Sequence, residues 1–182
     1  MHANHFEATE TLKNGATVTI RAIRPTDKAG MVEAFARLEP DSVFTRFFQH
    51  KQSLTDRELI VATEVDFENV VALVVTTESG GREVIIGGGR YLILDPARDQ
   101  RSAEVAFLVE EDYHGQGLAG RILRHLAAIA REQGVSQFEA EVLARNKAML
   151  AVFSRSGLPM KQNFADGVTH VTLSLTERPP PP

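Results

Sequence analysis

The amino-acid sequence predicts an α/β chain built on a mixed central sheet of six to seven strands, with helices on both faces. Three observations lead there. Strand-like apolar runs recur along the chain and are separated by stretches of helical period. The segment 102–142 reads strand, helix, strand, long enough for a parallel crossover. And 182 residues, 43% hydrophobic and 24% charged, fit one domain over 1–182. A chain of this length buries roughly 70% of the surface it exposes when unfolded, so a core forms without staples.

Thr17 to Arg24 sets Val18, Ile20 and Ala22 against Thr19, Arg21 and Ile23 and predicts a strand closed by Pro25. Thr26 is expected to cap a helix carrying Met31, Val32, Phe35 and Leu38, ended by Pro40. Asp41 and Ser42 open a second short helix with Val43, Phe44, Phe47 and Phe48, and Thr55 caps a third through Leu59 and Ile60. Val70 to Thr77 is a continuous apolar run, hence a buried strand. After the turn at Ser79, Gly80 and Gly81, Glu83 to Leu94 returns as its hairpin partner. Gly87, Gly88 and Gly89 inside that strand predict a bulge or a close backbone approach. Ser102 to Val109 is the next strand, with Ala103, Val105, Phe107 and Val109 on one face and Glu104, Ala106 and Leu108 on the other. After the polar stretch 110–116, Gly117 to Gln133 forms a helix with Leu118, Ile122, Leu126 and Ile129 on one stripe, ended by Gly134. Phe138 to Val142 is a strand, and Arg145 to Ser156 a helix ended by Gly157. Two strands remain, near Met160–Phe164 and Thr169–Leu175.

Composition excludes several functions. Twenty Lys and Arg against 24 Asp and Glu leave a net charge of −4, so no nucleic-acid partner is expected. The first residues, Met1 to Glu7, lack the basic and apolar regions of a signal peptide and are read as a frayed terminus. No apolar run approaches the ~18–20 residues that span a bilayer, so no membrane partner is expected. The absence of cysteine removes disulfides, thiolate metal sites and a Cys nucleophile, and fits a reducing, cytoplasmic setting. His2 and His5 have metal-like spacing but no further ligands, so no metal is expected. The core is expected over about residues 16–175, with 176–182 a solvated, proline-rich tail.

The most informative stretch is His114-Gly115-Gln116-Gly117-Leu118-Ala119-Gly120. Glycines let consecutive N–H groups turn into one concavity. The following helix adds its unpaired N–H groups and its positive end. Together they suit a phosphate or pyrophosphate. A plain strand-to-helix turn is the other meaning of the same glycines. Gly115, Gly117 and Gly120 also fit the dinucleotide fingerprint, with Glu139 and Glu141 about 20 residues on. Against that reading, the turn follows three or four antiparallel-type strands, and a single β-α-β unit is too little for a doubly wound sheet.

Glu104-Val105-Ala106-Phe107-Leu108-Val109 running into His114-Gly115-Gln116-Gly117-Leu118-Ala119, followed by Asn146, Phe153 and Gly157-Leu158, resembles the GNAT acyltransferase superfamily over about residues 16–175. Ile20 to Pro25, Ser42 to Phe48 and Glu141 to Leu150 further resemble the acetyltransferase domain of bacterial protein lysine acetyltransferases of the Pat type. The resemblance implies the GNAT acyl-CoA N-acyltransferase fold and direct transfer from acetyl-CoA to an amine acceptor, a protein lysine or a small molecule. It also leaves room for a homodimer. It implies cofactor contacts from Phe107, Leu108 and Val109 at the strand end, from His114, Gly115, Gln116, Gly117, Leu118, Ala119 and Gly120 around the pyrophosphate, and from Asn146 and Phe153. An N–H of Leu108 or Val109 is the expected oxyanion donor. Glu104 matches the acid of Pat-type enzymes and is the expected general base.

The chain departs from the family pattern twice. His114 replaces the usual Gln or Arg, at a position where the backbone is expected to matter more than the side chain. Phe153 stands where many members have a Tyr that protonates the leaving thiolate, so that role is lost at this position. The second departure keeps a different function open: a catalytically degenerate acyl-CoA-binding sensor or interaction module. Arg121 is expected to be solvated or to meet an anion, and the run Glu110-Glu111-Asp112 to form a solvated acidic loop or to attract a cationic acceptor. Arg46, Phe47 and Phe48 lie in the helical segment that, by the resemblance, borders the acceptor groove, with Phe47 and Phe48 read as core.

Overall fold

Strand-forming apolar and β-branched residues draw segments from the whole length of the chain into one sheet. A computed structural model describes residues 2–47, 51–95 and 101–176. In chain order the elements are β1 (Glu7–Thr11), β2 (Thr17–Ala22), α1 (Lys28–Ala36), α2 (Pro40–Phe47), α3 (Asp56–Thr63), β3 (Val70–Ser79), β4 (Arg82–Ile93), β5 (Arg101–Val109), α4 (Leu118–Glu132), β6 (Val135–Leu143), α5 (Lys147–Ser154), β7 (Met160–Ala165) and β8 (Val168–Ser174). The sheet has eight strands in the order β1-β2-β3-β4-β5-β6-β8-β7, against the six to seven expected. The pair β5/β6 is parallel and the other six pairings are antiparallel. One parallel crossover is incompatible with a doubly wound dinucleotide fold, which removes that reading of Gly115, Gly117 and Gly120.

The additional strand is β1. Its residues, Glu7 to Thr11, carry Ala8 as their one apolar side chain, so no apolar alternation announces it. It pairs with β2 through a turn at Asn14 and Gly15, with Gly15 at φ 85°. That Asn-Gly pair is the hairpin signal in the sequence. The N-terminus is therefore not frayed: Ala3, Phe6 and Leu12 are buried, and the core extends past residue 16 towards the start.

The two sheet faces carry different helices. On one face, α4 buries Leu118, Ile122, Leu123, Leu126, Ala127, Ile129 and Ala130 against Tyr91, Ala103, Val105, Phe107 and Phe138. Each fully buried Leu or Ile contributes about 1.5–3 kcal/mol. Residues of α5 pack into the same cluster. On the other face, Met31 and Ala34 of α1 pack on a smaller cluster of Ile23, Ala72, Val74 and Ile85.

Local chemistry sets the helix ends. Thr26 does not cap α1. Pro25 to Asp27 form a short 3₁₀ turn, α1 begins at Lys28, and it stops at Ala36, leaving Leu38 beyond its end. The Asp27 carboxylate accepts the Arg24 N–H (2.7 Å) and takes the Arg21 guanidinium in a two-pronged pair (2.8 and 2.9 Å). Glu83 holds the same guanidinium from the other side at 2.5 Å. Thr55 and Glu58 form a reciprocal capping box on α3, as its Thr predicts.

In β4 the bulge falls at Ile86, the residue skipped where Val75 pairs with Gly87 and Thr76 with Ile85. The three glycines themselves stay in register and mark close approach. A Cβ on Gly88 would lie 2.6 Å from the Leu73 carbonyl oxygen, and one on Gly89 2.6 Å from Ile122. The expected contributions of Phe48 and the tail beyond Thr176, and the side chain of Phe44, lie outside the described residues.

Candidate active site

The parallel ladder between β5 and β6 is short. It runs from Arg101 on Val135 to Glu104 on Glu139. Beyond that point β5 stays paired with β4 to Val109, and β6 stays paired with β8 to Leu143, so the two strands part. Leu94 N–H donates to Ser102 O and Glu110 N–H to Ile86 O, each at 2.9 Å. Antiparallel pairing alternates, so the amides of Ala106 and Leu108 face β4. Those of Val105, Phe107 and Val109 face the gap. Of the two expected oxyanion donors, the register turns Leu108 away and leaves Val109.

The glycine turn stands at the wide end of this gap. Gly115 (φ 75°) and Gly117 (φ 80°) adopt the left-handed conformation that favours glycine. Gly117 is the N-cap of α4, which has neither a side-chain cap nor an acidic residue in its first turn. The N–H groups of Gly117, Leu118, Ala119 and Gly120 are thus left to an external acceptor. The His114 side chain has a specific role here. Its Nε2 lies 2.8 Å from the Val109 carbonyl oxygen. A carbonyl can only accept, so Nε2 carries the proton and donates. The His114 amide is committed to Glu111 O at 3.0 Å.

On the opposite side of β5 lies an apolar cavity of about 400 Å³ between the sheet and α1–α3. Its walls are Met31, Ala34, Phe35, Leu38, Phe47, Val61 and Ala62, and its floor is Gly87 to Arg90 with Ala106 and Leu108. Arg46 and Arg90 also line it. Burial holds the Arg46 guanidinium below the usual arginine range, Arg90 pushes the same way, and Glu104 opposes them. Glu104 is exposed and shares a sheet face with Ala106 and Leu108. The acidic residues at 110 and 111 are engaged, not solvated. Arg37 pairs with Glu110 at 3.2 Å, and Glu111 accepts the Glu39 N–H at 3.1 Å. Together they tie the end of α1 to the end of β5.

The profile of the Acetyltransferase (GNAT) domain family matches residues 17–159. The chain belongs to the GNAT acetyltransferase family. An acetyltransferase of Pseudomonas aeruginosa is 28% identical over 140 residues, 77% of this chain and 74% of that protein. Acetyltransferase Pat of Mycolicibacterium smegmatis is 27% identical over 146 residues, 80% of this chain but 42% of that longer protein. Among solved structures, the GNAT domain of S. lividans PAT superposes with a TM-score of 0.83 at 33% identity, covering 92% of this chain and 96% of that one.

Within this GNAT domain, Val109 and the turn 114–120 stand at the end of β5, while Glu104 lies back along the strand, where the parallel ladder ends, on the same sheet face as Leu108. The Phe107 and Phe153 rings are buried on the α4 face, centroids 6.0 Å apart, while the Phe107 amide faces the gap. Asn146 caps α5, its Oδ1 accepting the Met149 N–H at 3.1 Å. Arg121 is not solvated. It donates to the carbonyls of Gln116 (3.3 Å), Gly117 (3.1 Å) and Thr11 (2.6 Å), clamping the turn to the end of β1. The tip of the β1–β2 hairpin joins the turn as well, through Asn14 N–H on Gln116 Oε1 (3.0 Å). That contact brings exposed Lys13 to the turn, its Cε 3.6 Å from where a Gly117 Cβ would stand. Sequence reading misses Lys13 because the hairpin whose turn carries it has a first strand with no apolar pattern. Among the described residues no three His, Asp or Glu side chains converge as a metal site needs. No helix among them is long and apolar enough to cross a membrane.

Proposed function

We propose that this domain moves an acetyl group from acetyl-CoA directly to an amine, a protein lysine being the acceptor that the Pat likeness favours. The observation that carries this reading is the parted β5/β6 ladder with the glycine turn at its head. A strand edge with free amides suits the amide-bearing pantetheine arm, and the left-handed glycines and uncapped α4 suit its phosphates. Bound there, acetyl-CoA supplies an acyl group already activated as a thioester.

The chain's own residues do the rest. The Val109 N–H donates to the carbonyl oxygen as negative charge grows on it. His114, by holding the Val109 carbonyl, fixes the orientation of that peptide segment. Lys13 places a positive charge beside the phosphates. Glu104 takes a proton from the acceptor ammonium, a step that costs about 4–5 kcal/mol for a free lysine at pH 7. The amine nitrogen then bonds to the acyl carbon, the carbon–sulfur bond breaks, and the nitrogen's second proton passes through solvent to the leaving thiolate, a base of pKa near 8.5 by analogy with a Cys thiol. With no cysteine in the chain, there is no acyl-cysteine stage.

The test is release of free CoA thiol from acetyl-CoA with a panel of amines and lysine peptides. Glu104→Gln should lower turnover by about 100-fold with acetyl-CoA affinity unchanged. Turnover at the parent rate in that variant removes Glu104 from the mechanism. Tight acetyl-CoA binding with no release on any acceptor makes the domain a binding module instead.

A further inference from the structure

The acceptor cavity contains more positive charge than its partners neutralise. Its acidic lining residues are already engaged: Glu58 with Lys51 at 2.5 Å, and Glu110 with Arg37. Arg46 and Arg90 line the same cavity, and neither has an ion pair among the described residues; Glu104 attracts Arg46 without pairing with it, and one carboxylate against two guanidiniums leaves positive charge in excess. Arg46 lies over the Phe47 ring, its guanidinium carbon 5.0 Å from the centroid, which holds the group against the apolar wall. Two like charges that feel each other across a partly dry cavity raise the energy of the empty site. An anion placed between them lowers it, and a guanidinium fork suits a carboxylate or phosphate in particular.

We propose that Arg46 and Arg90 form a docking site for a negatively charged group that the acceptor carries beside its reactive amine. The acceptor is then matched by charge at both ends, its amine at Glu104 and its anion at the two arginines, with an apolar portion along Phe47 and Leu108. This rests on the transfer reading above and narrows it. The anion has two sources, the carboxylate of a small amino acid or an acidic side chain next to a target lysine.

Binding calorimetry tests the site without requiring turnover. The probes are matched pairs that differ only in the anion: an N-acetyl amino acid with its N-acetyl amine counterpart, and acetyl-lysine peptides flanked by Glu or by Gln. The acidic member of at least one pair should bind about tenfold more tightly or better, and which pair responds identifies the source. In Arg46→Gln and Arg90→Gln that preference should fall towards one, and Arg46→Lys should restore part of it. Thermal melts of each variant check that it is folded. Equal binding of both members, no binding of either, or an undiminished preference in the folded Gln variants overturns the proposal. The thiol-release assay reports on transfer separately, so active transfer without anion preference defeats this inference alone.

Discussion

Single residues around the turn can be separated by what each one holds. Lys13 stands beside the glycine turn, so on the proposed reading Lys13→Ala should weaken acetyl-CoA up to about fivefold, the worth of one exposed charge contact. The loss should shrink at high salt and leave the catalytic rate at saturation unchanged. His114 acts through the Val109 carbonyl, so His114→Ala should lower kcat by up to about tenfold, as for one lost hydrogen bond, with a smaller change in donor affinity. Steady-state kinetics with acetyl-CoA varied will separate the two. Gly88 is a packing position: a Cβ 2.6 Å from a main-chain oxygen has nowhere to go, and Gly88→Ala should destabilise by about 1–3 kcal/mol in urea melts. The glycine turn ahead of α4 was legible in the sequence because its residue types and spacing are local, whereas Glu104 was picked out by the family resemblance. Lys13 was not, since it reaches the turn from a segment distant in sequence, and the His114 side chain was not, since its contact with Val109 depends on how the stretch after β5 folds back.

At the scale of elements, the turn before β3 shows how one carboxylate organises a strand start. Asp66 Oδ1 accepts the amides of Glu68, Asn69 and Val70 at 3.0, 2.8 and 2.9 Å, while Phe67 is held at φ 58°. Burial alone would push the Asp66 carboxyl up. The hydrogen bonds outweigh it and hold its pKa at about 2, below the ordinary 3.8. A pKa lowered by folding stabilises above the unfolded value and is lost as pH falls through the folded one. The stability gap between the parent and Asp66→Ala should therefore be full above pH 4 and close between about pH 4 and 2, read from melting temperatures across that range. Helices and strands with strong apolar period, such as α4 and β3, were legible in sequence almost residue by residue. The start of α1 was not, because Asp27 is drawn away from capping by Arg21, a tertiary contact no local pattern encodes.

For the whole molecule, the buried Arg21–Asp27 pair joins β2 to the head of α1, and Glu83 extends it to β4. Removing the arginine strands a buried carboxylate. Arg21→Ala should cost about 3–5 kcal/mol and lower Tm by roughly 6–20 °C, measurable by calorimetry. The mixed sheet with helices on both faces was legible from the element order alone. The sheet's eighth strand was not, because β1 is held by what it attaches to. Glu10 on that strand pairs with Arg121, Arg124 and His125 of α4.

The parting of β5 from β6 also bears on how such a protein can change over time. On the proposed reading the donor lies along main-chain amides on one edge of β5, and main chain is indifferent to most substitutions. The acceptor would then lie against side chains of α1, α2 and β4 on the opposite face. Mutation can therefore redraw acceptor choice, Arg46 and Arg90 first, while the donor grip stays intact. One strand thus divides a part of the molecule free to diversify from a part that cannot.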